Sequence, residues 1–210
     1  RQMCIRDSIY IPSMYVSKIF VVDTAGVVKR KIDYSTTKDG QQLKPFMPSD
    51  KSQIVFIGDD LYIPQTVNLR LGDKAIERSP IKVVLDTIEN TSEALPMRFP
   101  PLINYKDFGT VGAFGAEYSF CYDGNRFIYS FDADEDLYLT TSAHEKVEKK
   151  KAKSKYIDNV TVFRSTEGNF QKMVRAQCEH ASYGKILYDK YRDVYYSCLL
   201  YTSDAADDLT

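Results

Sequence analysis

Lys18-Ile19-Phe20-Val21-Val22-Asp23, then Thr24-Ala25-Gly26, then Val27-Val28-Lys29-Arg30-Lys31-Ile32: two short runs rich in β-branched residues flank three residues that end in glycine. This pattern predicts a β-hairpin, because Val and Ile lose side-chain freedom in a helix but fit a pleated surface. Similar runs predict strands at 53–57, 60–63, 81–86, 118–122, 126–131, 137–141, 156–163, 185–188 and 194–196. Gly58-Asp59, Asp123-Gly124-Asn125 and residues 189–193 lie between runs, where Gly, Asn and Asp make tight turns inexpensive. Helical periodicity is poor throughout. Residues 89–115, with Pro96, Pro100 and Pro101, read as a long connecting loop. The lysine-rich stretch 145–155 reads as a solvated face or an edge strand, since lysines commonly protect such edges from pairing.

A weak internal echo links the runs. Ile9-Tyr10-Ile11-Pro12 returns as Leu61-Tyr62-Ile63-Pro64 and loosely as Leu137-Tyr138-Leu139-Thr140. Phe20-Val21-Val22-Asp23-Thr24 returns as Val83-Val84-Leu85-Asp86-Thr87. The fold class expected is all-β: a partial β-propeller, an open arc of about three to four antiparallel blades. A β-sandwich would share the strands but not the echo.

Sixteen tyrosines and eleven phenylalanines with no tryptophan agree with strands. The formal net charge of -1 speaks against a chain-wide nucleic-acid footprint, so no nucleic-acid partner is expected. No run of about 18 apolar residues is present to span a membrane as a helix.

The two ends read differently. Arg1-Gln2-Met3-Cys4-Ile5-Arg6-Asp7-Ser8 back-translates codon by codon into a transposase library adapter. Cys198-Leu199-Leu200-Tyr201-Thr202-Ser203-Asp204-Ala205-Ala206-Asp207 is the same adapter on the opposite strand. The expectation is therefore that residues 1–8 and 198–210 are adapter-derived and that 9–197 form the partial propeller domain, with a native arginine in place of Ser197. Of four cysteines only Cys121 and Cys178 then remain, with neither CxxC spacing nor a histidine complement for a metal framework.

Candidate chemistry is sparse. Asp132-Ala133-Asp134-Glu135-Asp136 opens like a calcium loop, but Leu137 stands where glycine is needed and Ala143 where the bidentate glutamate belongs. His144 and His180 are the only histidines. In Cys178-Glu179-His180 a strand would turn thiol and imidazole to one face, with no third group to complete a nucleophile, so ordinary placement is expected. Tyr118, Phe120, Tyr122, Tyr129 and Tyr138 either stack on sugar rings or fill the space between blades, the second being commoner. No catalytic residue, metal ligand or cofactor is expected.

Three stretches carry a family resemblance: Phe127-Ile128-Tyr129-Ser130-Phe131-Asp132-Ala133-Asp134, Ala152-Lys153-Ser154-Lys155-Tyr156-Ile157, and Tyr183-Gly184-Lys185-Ile186-Leu187-Tyr188-Asp189-Lys190-Tyr191-Arg192-Asp193-Val194-Tyr195-Tyr196. Together they resemble an uncharacterised family of six-bladed-propeller-like lipoproteins from Bacteroidales, a domain of unknown function. Lys190 departs from the proline expected there. The resemblance implies a periplasmic or outer-membrane protein, attached to the membrane only through a lipid anchor outside this fragment. The leading functional reading is a non-enzymatic module that binds a protein or glycan through loops on one face. The alternative is a metal-dependent propeller hydrolase or lactonase-like enzyme whose channel residues lie mostly outside the chain. Asp23-Thr24-Ala25 and Asp86-Thr87-Ile88 match the Asp-(Ser/Thr)-aliphatic pattern of Bacteroidales O-glycosylation, making Thr24 and Thr87 candidate acceptors, if exposed.

Overall fold

The computed structural model describes residues 8–47, 49, 51–68, 71, 74–100, 117–132, 134–155 and 181–200. Within them the chain is all-β: four antiparallel sheets follow one another in chain order, consistent with a partial propeller-like arrangement. Two compact units emerge, one of residues 1–48, 53–65 and 82–95, the other of 49–52, 66–81 and 96–210.

The first unit holds two sheets. β1 (Ser8–Pro12), β2 (Lys18–Asp23) and β3 (Val28–Asp33) form the first. β4 (Val55–Ile57), β5 (Asp60–Pro64), β6 (Lys82–Asp86) and β7 (Thr91–Ala94) form the second. Alternation along the strands decides which side chains meet. Ile19, Val21 and Ile32 of the first sheet are buried together with Leu61, Ile63 and Leu85 of the second, closed off by Tyr34 and Phe46. The Phe46 amide donates to the Tyr34 hydroxyl at 2.8 Å, so that buried phenol keeps a partner.

The sequence echo is structural at two of its three places. Ile9-Tyr10-Ile11-Pro12 is β1 and Leu61-Tyr62-Ile63-Pro64 is β5, each pairing with the strand after it, β2 or β6. The turns that follow β2 and β6 are built alike. Asp23 Oδ1 accepts from the amides of Ala25 and Val27, and Asp86 Oδ1 from those of Ile88 and Glu89. Gly26 (φ +82) and Asn90 (φ +55) supply the left-handed residue each turn needs.

The second unit carries β8 (Tyr118–Tyr122), β9 (Arg126–Phe131), β10 (Asp136–Thr141) and β11 (Val147–Lys151) as one sheet. β12 (Ser182–Asp189) and β13 (Val194–Leu200) form a two-stranded partner, and α1 (Ala75–Arg78) is a single turn. Register gives the four-stranded sheet two unlike faces. Tyr118 opposes Phe131, Phe120 opposes Tyr129 and Tyr122 opposes Phe127, so one face is aromatic. Ile128 and Leu139 on the other face are buried with Ile186 of β12, and the Ile186 amide donates to Ser119 Oγ at 3.0 Å.

Two expectations need correction. The third echo, at 137–140, falls on β10, the third strand of its sheet, whereas β5 is a second strand; a shared apolar alternation produced the likeness. The loop read over 89–115 contains β7, whose Thr-Ser-Glu-Ala sequence lacks strand character and is held by pairing with β6. The strand expected at 194–196 continues through Cys198 and Leu199 to Leu200, as the strand propensity of these residues leads one to expect. The lysine-rich stretch does form an edge strand, β11. The strand expected over 156–163, with Cys178 and His180, lies outside the described residues.

Candidate functional site

The segment after β7 crosses the second unit's aromatic face. Phe99 sits 5.7 Å from Tyr118 and 6.4 Å from Phe131, centroid to centroid, and the Ile81 amide donates to the Met97 carbonyl. Pinned in this way, Pro96, Met97, Arg98 and Pro100 form one wall of an open groove of about 410 Å³. The opposite wall comes from β10, β11 and their turn: Tyr138, His144, Glu145, Val147 and Lys149. Tyr138 and Lys149 are cross-strand partners and point to one face, as do Thr140 and Val147.

Each polar group of that wall is held. The Tyr138 hydroxyl donates to Asp134 Oδ2 at 2.5 Å; burial first, and then this carboxylate, push its pKa up to about 12. Lys149 Nζ rests 4.9 Å from the Tyr138 ring centroid and 3.0 Å from Asp136 Oδ2. The hydrogen bond to Asp136, then that to Tyr138, raise the lysine pKa, so it stays a cation at any physiological pH. The ammonium covers the ring face a sugar would need, and Tyr138 is only 5% exposed.

His144 anchors the turn beneath. It is buried, in the left-handed region at φ +56, and its Nδ1 lies 2.9 Å from the Ser142 carbonyl. A carbonyl can only accept, so Nδ1 carries the hydrogen; in the neutral ring Nε2 then accepts the Tyr129 hydroxyl proton across 2.6 Å. The pair ties β9 to the β10–β11 turn, which is a positioning role.

The sequence candidates are placed as follows. Tyr118, Phe120, Tyr129 and Tyr138 are buried and Tyr122 half-buried, which makes them filling rather than open platforms. Thr24 is exposed at its turn. Thr87 is 7% exposed; its hydroxyl donates to the Asp59 carbonyl at 2.8 Å and its own carbonyl accepts from Arg30 at 2.6 Å. Burial, with Asp123 close by, pushes the Cys121 thiol up to about 12, leaving it un-ionised and inert. Asp132, Asp134, Glu135 and Asp136 are engaged within the protein: Asp132 by Lys51 at 2.6 Å, Asp134 by the Tyr138 hydroxyl, Glu135 by Lys153 and Asp136 by Lys149. Among the described residues no group of three or more His, Cys, Asp or Glu side chains converges as a metal site would.

Sequence reasoning missed Met97 and Arg98 altogether, and took Val147 only as an apolar residue alternating with the lysines of 145–155. The cluster Pro96, Pro100 and Pro101 reads from sequence as part of a connecting loop, and nothing in it names the surface that residues 96–100 cross.

Four antiparallel sheets in series, one bearing an open groove along its edge strand, define an all-β repeat-sheet protein. The chain belongs to the DUF4221 family, a domain of unknown function, whose profile matches residues 1–197. A crystal structure of a DUF4221 family member from Bacteroides vulgatus superposes with a TM-score of 0.73 at 18% sequence identity, over 93% of this chain and 54% of that one. The shared feature at that identity is the fold, and the chain spans about half the length of that relative. No curated protein matches it.

Proposed function

We propose that this chain is a binding module of the bacterial envelope, taking an extended protein segment in the groove between the Pro96–Pro100 wall and β11. The observation that carries this reading is the groove's composition: apolar Pro96, Met97, Pro100 and Val147 stand beside charges of both signs, Arg98, Glu145 and Lys149. A peptide offers apolar and charged groups in alternation and matches such a lining, whereas a glycan needs open ring faces. Lys149 lying over Tyr138 favours the protein over the glycan ligand. The envelope placement, with attachment through a lipid anchor, is supported by the resemblance of the three stretches quoted above and by a family member in Bacteroides.

Selection of a random peptide display library on the full chain tests the groove. Enrichment of one consensus, lost on a chain carrying both Met97→Asp and Val147→Asp, is the expected result. Enrichment that survives the double variant, or hits on a glycan array with none among peptides, would remove the proposal.

Thr24 is the better glycan acceptor of the two threonines, since its turn is exposed while the Thr87 hydroxyl is engaged. Intact mass of the protein from its source host is expected to show a hexose-containing adduct that disappears with Thr24→Ala. An unmodified mass would end this reading.

A further inference from the structure

The sheet of the second unit leaves the charge of its own edge unbalanced. Residues 145–155 carry six lysines and two glutamates, in a chain whose formal net charge is -1. β11 is exposed at every position and, among the described residues, pairs only with β10. Cross-strand neighbours are the first source of counter-charge on a sheet. β10 sets Asp136, Leu137 and Tyr138 opposite Lys151, Lys150 and Lys149, so one acid faces three lysines. That acid is turned to Lys149, 3.0 Å from its Oδ2, although Lys151 stands directly across from it. Lys150 has Glu148 of its own strand at 3.5 Å, and Lys151 meets no acid among the described residues.

Alternation sorts these residues by face. Val147, Lys149 and Lys151 share the face of Tyr138, where the groove lies, while Glu148 and Lys150 belong to the other. The main-chain N–H and C=O groups of alternate β11 residues point away from β10, in the direction from which a further strand would come. A strand laid there would send every second side chain toward the groove, against Val147 and the apolar wall of Pro96, Met97 and Pro100.

We infer that the ligand is an acidic peptide segment that adds to β11 as an outer strand, which presupposes the peptide reading of the groove proposed above. Main-chain hydrogen bonds to β11 hold the segment, and its carboxylates meet Lys150 and Lys151. Opposite Val147 it presents an apolar side chain, and opposite Glu148 a residue that is not acidic. The motif is therefore an apolar residue, a non-acidic residue and then a run of Asp or Glu, in either chain direction.

The probe is the fluorescein-labelled peptide Val-Thr-Glu-Glu-Glu-Thr-Val, which reads the same in both directions, and the readout is fluorescence anisotropy on the full chain. It is expected to bind, and its counterpart with Lys in place of each Glu is not. A chain carrying Lys150→Glu and Lys151→Glu, both exposed positions, is expected to bind the acidic peptide about 10-fold more weakly and to take up the basic one. N-methylation of alternate peptide amides keeps the charge and removes the donors along one edge, so one of the two possible patterns is expected to abolish binding. No binding of the acidic peptide, equal binding of both peptides, or binding that survives both N-methylation patterns would overturn the inference. Polygalacturonate binding as tightly as the peptide would do the same, by showing attraction to charge alone. The peptide library separates this outcome from failure of the groove. A neutral or basic consensus that is lost on the Met97→Asp, Val147→Asp chain but kept on the Lys150→Glu, Lys151→Glu chain would sink the acidic strand and leave the groove standing. An acidic consensus lost on both chains is the supporting result, and one kept on the Met97→Asp, Val147→Asp chain removes the groove reading itself.

Discussion

The aliphatic seam of the first unit and the aromatic face of the second solve one problem, burying a sheet, with different chemistry. Ile19, Val21, Ile32, Leu61, Ile63 and Leu85 contribute volume and little direction. On the aromatic face Phe120–Tyr129, Phe120–Phe127 and Tyr118–Phe131 lie 5.6, 5.9 and 5.7 Å apart, and three phenols are tied to fixed points. Tyr118 donates to the Ile81 carbonyl at 2.8 Å, Tyr129 to His144, and Tyr138 to Asp134. Aliphatic side chains of similar size substitute for one another at small cost, so a seam made of them is specified by volume. Hydroxyls that must be satisfied when buried specify position as well. For this reason the groove belongs to the aromatic face, where neighbouring segments are held at definite places.

Removing a ring tests that contrast most severely. Phe131→Ala takes away a fully buried side chain in contact with Phe99, Tyr118 and Tyr138, and is expected to cost about 3–5 kcal/mol. It should also loosen the Pro96–Pro100 wall, raising hydrogen exchange there, while amides of β2 and β5 keep their protection. A loss spread evenly over both units would erase the distinction. Tyr129→Phe sharpens it: the ring volume stays but His144 Nε2 loses its donor, at an expected cost of about 1–3 kcal/mol by urea denaturation. If it costs nothing, the phenols do not specify position.

In the aliphatic seam, Ile63→Val removes one methyl and should cost only about 1 kcal/mol. The smallest effect has the opposite sign. Asp60 and Asp86 sit directly opposite on β5 and β6; burial, then Asp86 and Asp59, raise the Asp60 pKa. An acid whose pKa is raised by folding favours the folded state while protonated, and that contribution is lost as pH rises through the folded value. Asp60→Asn is therefore expected to gain about 0.5 kcal/mol at pH 7, a figure kept small by solvent screening, and nothing below about pH 3.5. A gain that persists in acid would trace to something other than charge.

Much of the first unit was legible because its signal is local. Lys18–Asp23 is a short apolar run between charged ends, Asp23 and Gly26 close the turn, and the same grammar of run and aspartate returns at Lys82–Asp86. β7 was not legible, since Thr91–Ala94 forms a strand only through its neighbour β6. The groove was least legible of all: Met97 and Arg98 acquire meaning when Phe99 docks on Tyr118, a contact spanning residues that no periodicity connects. His144 looked like an isolated histidine until register brought Tyr129 beneath it.

The outer strands of the second unit's sheets bear on how the protein behaves in a tube. β11 reads Val-Glu-Lys-Lys-Lys, exposed at every residue, and Lys149, Lys150 and the nearby Lys153 are matched to Asp136, Glu148 and Glu135. Such a border repels a second copy of itself and resists polymerisation. Among the described residues β13 has no such guard, with Val194, Tyr196 and Leu200 at 38%, 48% and 50% exposure. Concentrated stocks should therefore form fibrils or precipitate by way of β13, and a lysine at Tyr196 should raise the solubility ceiling where another lysine on β11 would not.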